Sequence, residues 1–369
     1  MYTADILVPV ASKGGMERII QYVAEYLRKT DEWNVRVVQL VWEGQSWLRA
    51  DIPFYPLLEK FGTYGIDELA DAYHSFIEKN GCPEIILATG WPVICYIAWA
   101  AMQKGENRKA VIVSWLHNPL EKYQEAGVGD ESALAYADAH FAISDQIYRK
   151  ENRFFPGKVY RVNNVVDFPA DGDKVYKSRE GRRKLYYVGR IEPRKRLDII
   201  IRAFDEDVRS MWELHIVGNT KAERDEIELL IQSADAHDVV FVHGWKQDPW
   251  NYVTNADAIV MASEYEGASM VVLEALAHGI GVITTPVGMA PELIQPGSNG
   301  YLFACGDVDG LKEILLAMGR GVLPELSCEA CTENVRKFKK EEALPDFEEK
   351  LRRVLYEYHC EWKKGCVTE

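Results

Sequence analysis

Two kinds of apolar run alternate along this chain. Short β-like blocks occur at Ile6–Val10, Val35–Val41, Glu84–Thr89, Ala110–Leu116, Ala139–Ile143 and Val159–Val166. Between most of them lie stretches with helical spacing, at Met16–Leu27 and near 66–80, 92–104 and 131–138. A second series begins at Leu185–Val188 and continues at Glu213–Val217, Val239–Val242, Ala258–Met261, Gly281–Thr285 and Tyr301–Phe303. Helical patterns at 196–205, 221–234, 269–278 and 307–318 separate those blocks. Strands buried on both faces and alternating with helices predict an α/β protein with two doubly wound parallel sheets. The expected division is residues 1–168, a polar linker at 169–181, a second domain at 182–340, and a charged helix at 341–369 that returns to the first. One segment breaks the alternation. Residues 42–65 hold Trp42, Trp47, Phe54, Tyr55 and two prolines. A long aromatic loop there could line an acceptor cleft, touch a membrane interface, or simply cover the sheet.

The run Ala262–Gly279 stands out. Ser269 suits an N-cap and Gly279 a helix stop. Between them Met270–Ala277 is apolar on every side except at Glu274, the pattern of a buried helix. A buried carboxylate without a donor is costly, so Glu274 should have a partner. Glu266 stands eight residues earlier, in the loop ahead of the helix. Such a loop lies at the carboxyl edge of a parallel sheet, and the helix start suits phosphate. The alternative is a capped core helix with Glu266 on the surface. A second cluster is Gly189-Arg190-Ile191-Glu192-Pro193-Arg194-Lys195-Arg196. Cations near a helix N-terminus oppose its dipole, and a bound polyphosphate would explain Arg190 and Lys195. Arg194 and Arg196 read as a solvated basic turn. His243-Gly244-Trp245 follows a strand, where a nucleobase could rest against Gly244 and Trp245, or the chain could merely turn. His117 closes another strand and is either a ligand donor or structural. Gly14-Gly15 after the first strand makes a nucleotide-type opening but is not a G-x-G-x-x-G, and taken alone it reads as a plain tight turn.

Composition narrows the picture. At 369 residues with 47% apolar content, two packed domains are expected. A formal net charge of −14 argues against a nucleic-acid partner and against purely electrostatic attachment to anionic lipid. No apolar run approaches the ~20 residues of a membrane span. The N-terminal residues lack a basic signal-peptide region, and seven scattered cysteines suit a reducing cytoplasm. Cys328 and Cys331, with His359, Cys360 and Cys366, lack zinc-ligand spacing.

Glu266-x7-Glu274, the Gly189-Arg190…Lys195 turn, Gly14-Gly15 and His117 together resemble glycosyltransferase family 4. These are retaining enzymes of GT-B fold, with two Rossmann-like domains facing a central cleft. Tyr187-Val188-Gly189-Arg190, Leu214–Gly218 and His243-Gly244-Trp245 resemble the lipopolysaccharide 1,6-galactosyltransferases in particular. The resemblance implies a UDP-sugar donor, UDP-galactose before UDP-glucose or UDP-N-acetylglucosamine, and a glycan or lipid-linked acceptor. It implies that Arg190 and Lys195 bind the diphosphate, Glu274 the ribose, and Glu266 the transferred sugar. Amides of Ala268, Ser269 and Met270 would meet the sugar and β-phosphate, His117 the sugar 6-hydroxyl, and Gly15 would admit the diphosphate. Closure of the two domains on the donor is expected with the ligand groups divided so. Two departures stand out: Ala268-Ser269 where the family commonly has Phe after Glu-Gly, and Arg196 where it usually has Gly. No cofactor is expected. The Asp-x-Asp pairs at Asp171/Asp173, Asp205/Asp207 and Asp307/Asp309 do not close a strand at the carboxyl edge, so no divalent metal is expected either. The expected location is cytoplasmic, with peripheral membrane contact and oligomeric state left open.

Overall fold

The computed structural model describes residues 1–10, 14–44, 46–59, 63–105, 110–169, 181–218 and 224–365, without the side chains of 224–226 and 361–365. The chain divides into two units: Met1–Val165 together with the chain from Lys340, and Val166–Lys339. The expected linker at 169–181 lies almost wholly outside the described residues.

The first unit holds β1 (Tyr2–Val8), β2 (Trp33–Trp42), β3 (Phe54–Glu59), β4 (Ile85–Thr89), β5 (Val111–Leu116), β6 (Ala139–Ala142) and β7 (Val159–Arg161). They form one sheet in the order β3-β2-β1-β4-β5-β6-β7, with every neighbouring pair parallel. β1 lies inside the sheet, between β2 and β4, and Ala4, Ile6, Leu7 and Val8 are fully buried. The one acid in that run, Asp5, is equally buried and is held by Arg36 of β2 through Nε at 2.5 Å and Nη2 at 2.9 Å. Tyr73 donates a third bond to it at 2.8 Å. The helix Lys340–Gly365 belongs to this unit: Phe347 packs on Trp115 and Phe141, and Trp33 Nε1 donates to Glu348 at 3.0 Å.

The second unit holds β8 (Arg183–Val188), β9 (Trp212–Val217), β10 (Val240–Gly244), β11 (Ala258–Met261), β12 (Val282–Thr284) and β13 (Gly300–Leu302). Their order is β10-β9-β8-β11-β12-β13, again all parallel. Each sheet therefore reverses its winding once, between β1 and β4 and between β8 and β11. Loops leaving the carboxyl ends on either side of such a point diverge, which is where ligands bind in open α/β sheets.

Several expectations need correction. The segment 42–65, expected as one aromatic loop, holds an edge strand: Trp42 ends β2, and Phe54–Glu59 runs parallel to it. Pro56 reads as a breaker, but an edge strand tolerates a residue without a donor N–H. Trp47 donates to Gln39 at 2.8 Å and meets Phe54 edge-on, so these rings cover the sheet edge. The helix expected over 131–138 spans Glu131–Leu134, and the strand expected over 159–166 ends at Arg161. The helix expected over 196–205 spans Leu197–Arg202, because Arg196 is left-handed and Asp205 caps a separate helix, Glu206–Met211. Short helices at Leu120–Glu125, Ala290–Leu293 and Cys328–Asn334, and a longer one at Asp145–Phe154 capped by Ser144, were not legible as periodic runs.

Candidate functional site

The two strands flanking the switch point of the second sheet supply the chemistry. β8 ends at Val188, and its exit loop runs through Gly189 and Arg190 into a single 3-10 turn, Pro193–Lys195. β11 ends at Met261, and its exit loop leads to the helix Met270–Ala277. Backbone and side chains lace the two loops together. The Glu264 N–H donates to the Arg194 carbonyl at 2.9 Å. Arg194 Nη1 donates to the Tyr265 carbonyl at 3.3 Å and to Glu266 Oε1 at 3.2 Å. Its Nε donates to Glu192 Oε2 at 2.8 Å, and its guanidinium lies 5.3 Å from the Tyr265 ring centre. Lys195 Nζ pairs with the same Glu266 oxygen.

Glu266 is 6% exposed, so it is not the surface residue of the alternative reading. Burial opposes its charge, yet Lys195 and then Arg194 hold its carboxyl below the ordinary glutamate range. Arg194, expected to be a solvated turn residue, is instead partly buried within this network. Gly288, at φ 58°, brings the turn after β12 against the same loop, since a Cβ there would stand 2.8 Å from the Glu266 carbonyl oxygen. Arg190 lies apart from Glu266: its side chain is 58% exposed and its Nε is 3.1 Å from Glu192 Oε1. Arg196 adopts φ 49°, ψ 48°, a region that costs a non-glycine residue about 1–3 kcal/mol. Its pairs with Asp198 and Glu264, at 2.9 and 2.8 Å, offset part of that cost. The backbone at this position thus suits the glycine usual in the resembling family.

The helix Met270–Ala277 is buried as its all-round apolar pattern requires, with Leu273 and Leu276 at 0% exposure. Glu274, also buried, has the expected donor: Trp250 Nε1 at 2.9 Å. The Trp250 ring stacks on His278 at 4.6 Å. Ser269 occupies the N-cap, but its hydroxyl turns to Met261 Sδ at 3.1 Å, so the helix start carries no side-chain cap. Ala268 and Met270 pack partly buried against the adjoining core. Gly244 ends β10 at φ 72° with open space around it, so backbone conformation rather than a close approach requires the glycine. Trp245 is 64% exposed, and the neighbouring His243 is bonded to His215 at 2.9 Å.

Gly15 and His117 stand in the first unit. Gly15 is the first residue of the helix Gly15–Lys29, with Gly14 extended at its N-cap. His117 follows β5 and its ring lies 4.8 Å from Trp115. Burial lowers its pKa to about 3, so the imidazole is neutral, and its Nε2 is buried without a partner among the described residues.

Residues 171–338 match the glycosyl transferases group 1 family. That stretch covers nearly all of the second unit. The chain also resembles two lipopolysaccharide 1,6-galactosyltransferases, at 30% identity to that of Salmonella typhimurium and 28% to that of Escherichia coli. Each match spans 63% of this chain, and it covers 64% and 65% of those proteins respectively, just under two thirds of their length. In structure the chain is similar to the apo lipopolysaccharide outer core galactosyltransferase WaaB, with a TM-score of 0.81, 21% identity, and coverage of 96% and 99%. It is likewise similar to Anabaena Alr3699/HepE solved in complex with UDP-glucose, at a TM-score of 0.74 and 16% identity, covering 96% and 100%. The fold is GT-B: two Rossmann-like α/β units.

Within the second unit, sequence reasoning missed Arg194, Trp250 and Gly288. Arg194 carried a signal, since it stands one residue before Lys195 in a basic turn. Trp250 and Gly288 had none without the tertiary contacts.

Proposed function

We propose that the chain is a retaining glycosyltransferase. It moves a hexosyl unit from a UDP-sugar, UDP-galactose first, to a glycan or lipid-linked acceptor of the cell envelope. The observation that supports this reading best is the buried Glu266 paired with Lys195 and Arg194 at the switch point of the second sheet. A carboxylate that hydrogen-bonds sugar hydroxyls and a cation that meets a diphosphate stand there side by side. Departure of the diphosphate builds negative charge on its leaving oxygen, and preorganised cations and amides lower that barrier. Lys195 and Arg190 supply the cations, and the uncapped helix start at 268–270 the amides. Glu274 holds the ribose. His117 Nε2, buried without a partner among the described residues, bonds the sugar 6-hydroxyl, and Gly15 leaves room for the diphosphate. Gly244 and Trp245 bound the nucleobase. With the leaving group neutralised in this way, no divalent metal is required. Retention follows from attack on the face the leaving phosphate vacates, with that phosphate accepting the acceptor's proton.

UDP in the solved complexes of a fold neighbour, and galactosyl transfer by the sequence relatives, support the choice of donor. Among the described residues no helix is long and apolar enough to cross a membrane. The proposed location is the cytoplasm, with peripheral contact at the inner face of the membrane left open. The test is a panel of nucleotide sugars read by thermal stabilisation and slow donor hydrolysis, since ligand binding raises apparent stability by mass action. UDP-galactose should give the largest shift. Hydrolysis of a GDP- or ADP-sugar alone overturns the donor assignment, and preference for UDP-glucose or UDP-N-acetylglucosamine moves it within the UDP class.

A further inference from the structure

Lys195 faces two demands in the proposed site. It pairs with Glu266 Oε1, and it must also meet the donor diphosphate. A lysine ammonium is a point charge on a flexible stem and can swing between partners. If it swings, Glu266 would be left buried with its charge uncompensated, a state that proteins avoid. A second cation is already in place on the same oxygen. Arg194 Nη1 reaches Glu266 Oε1 at 3.2 Å. Unlike Lys195, its guanidinium is anchored on several sides. Glu192 accepts from Nε at 2.8 Å, the Tyr265 carbonyl accepts from Nη1 at 3.3 Å, and the Tyr265 ring lies beneath at 5.3 Å. The Arg194 carbonyl is itself tied to the Glu264 N–H at 2.9 Å. A planar fork bound in this way holds its direction when a neighbour moves.

We infer that Arg194 is a positioning residue: it keeps the Glu266 carboxylate charged and aimed while Lys195 turns to the diphosphate. The two adjacent cations then divide one task. Lys195 is the one that moves with the ligand, and Arg194 is the fixed one. This inference rests on the proposed function of the site. It predicts a separation between nucleotide binding and turnover, because Arg194 faces the carboxylate and not the phosphates. The charged and titratable groups around that carboxylate are Lys195 and Arg194 on one loop, Glu192 behind them, and the Tyr187 phenol from β8. Removing one of the two cations therefore raises the pH at which Glu266 protonates.

The experiment compares wild type with Arg194→Met, Arg194→Lys and Glu192→Gln. UDP affinity is read by calorimetry, and kcat, KM and the acid limb of the pH profile by UDP-sugar hydrolysis. Arg194→Met should leave UDP affinity within about twofold, lower kcat by tenfold or more, and move the acid limb to higher pH. Arg194→Lys should recover part of kcat and of the acid limb. Glu192→Gln loosens Arg190 as well as Arg194, so UDP affinity is read beside kcat: a smaller fall in kcat with UDP affinity within about twofold is the share carried by Arg194, which keeps the test decisive if Arg194→Met does not fold. Unchanged kcat and acid limb in Arg194→Met, or in Arg194→Lys and Glu192→Gln should it not fold, overturn the inference. A fall in UDP affinity parallel to kcat overturns it too, since Arg194 would then serve the phosphates or the loop as a whole. A wild type that neither binds UDP nor hydrolyses a UDP-sugar sinks the proposed function itself, and the division of labour with it.

Discussion

Glu151 offers a quantitative test of the first unit. It lies on the inner side of the helix Asp145–Phe154, is 1% exposed, and neither carboxylate oxygen has a partner among the described residues. Burial raises its pKa from 4.5 to about 8. The native state therefore holds a proton that the unfolded chain has released. With a raised folded pKa, the contribution to stability is full below about pH 4.5 and is lost as pH climbs through about 8. Each unit of pH within that window removes about 1.4 kcal/mol. Between pH 5 and pH 8 the loss comes to roughly 3–4 kcal/mol. Glu151→Gln keeps the shape and removes the titration. Its own buried amide carries a cost, but one that does not change with pH. The difference in stability between variant and wild type should therefore move in favour of the variant as pH rises. At about 2–4 °C per kcal/mol for a unit of this size, that is roughly 10 °C across the window. The assay is thermal unfolding of both proteins at pH 5, 6, 7 and 8, followed by circular dichroism or calorimetry. Parallel pH profiles would refute the reasoning, because they would mean that Glu151 ionises in the native state as it does in the unfolded chain.

Three further outcomes are expected. Lys195→Ala should weaken UDP binding by about tenfold or more, a loss of roughly 1.4 kcal/mol or greater, with Arg190→Ala in the same direction; unchanged calorimetric affinity in both removes the anion-site assignment. Glu274→Ala should impair UDP binding, whereas Glu266→Gln should leave it nearly intact and lower turnover, and the reverse pattern in binding and kinetics would show the two roles exchanged. Arg36→Met leaves Asp5 buried without its charge partner and should destabilise the first unit by about 3–5 kcal/mol, which a thermal melt reads directly; a change below about 1 kcal/mol would mean that Asp5 is protonated in the fold.

Much of the fold was legible because it is written in short-range patterns. Apolar blocks such as Ile6–Val10 and Ala258–Met261 are buried on both faces only in a parallel sheet covered by helices, so alternation alone predicted two doubly wound units. The helix at 270–277 was readable for the same reason, as was the need of Glu274 for a donor. The helix expected over 307–318 starts at Val308, where the Asp307 side chain accepts from its third residue. Signals failed where the local rule was overridden by position in the sheet. Pro56 argued against a strand, yet β3 lies at an edge where no partner asks for its missing N–H. At Arg196 the residue type itself argues against a left-handed backbone, and only the glycine usual there in the resembling family points to it; the compensation comes from Asp198 and from Glu264, sixty-eight positions away.

The sequence by itself determined the residue types at the site. Glu266 and Lys195 each follow a strand-like run and Glu274 stands in an all-round apolar helix, and charge in such places asks for a partner. Tertiary structure decided which of them meet. The order β10-β9-β8-β11-β12-β13 sets β8 beside β11, although about seventy residues separate them, so their exit loops become neighbours. That pairing puts Lys195 and Arg194 on the carboxylate of Glu266 and leaves Arg190 at the solvent edge. Packing of the helix after β11 against the turn before it brings Glu274 to Trp250. Periodicity reports which face of an element is buried. It carries no information on which strands are neighbours, and the partner of a buried charge is set by that neighbourhood.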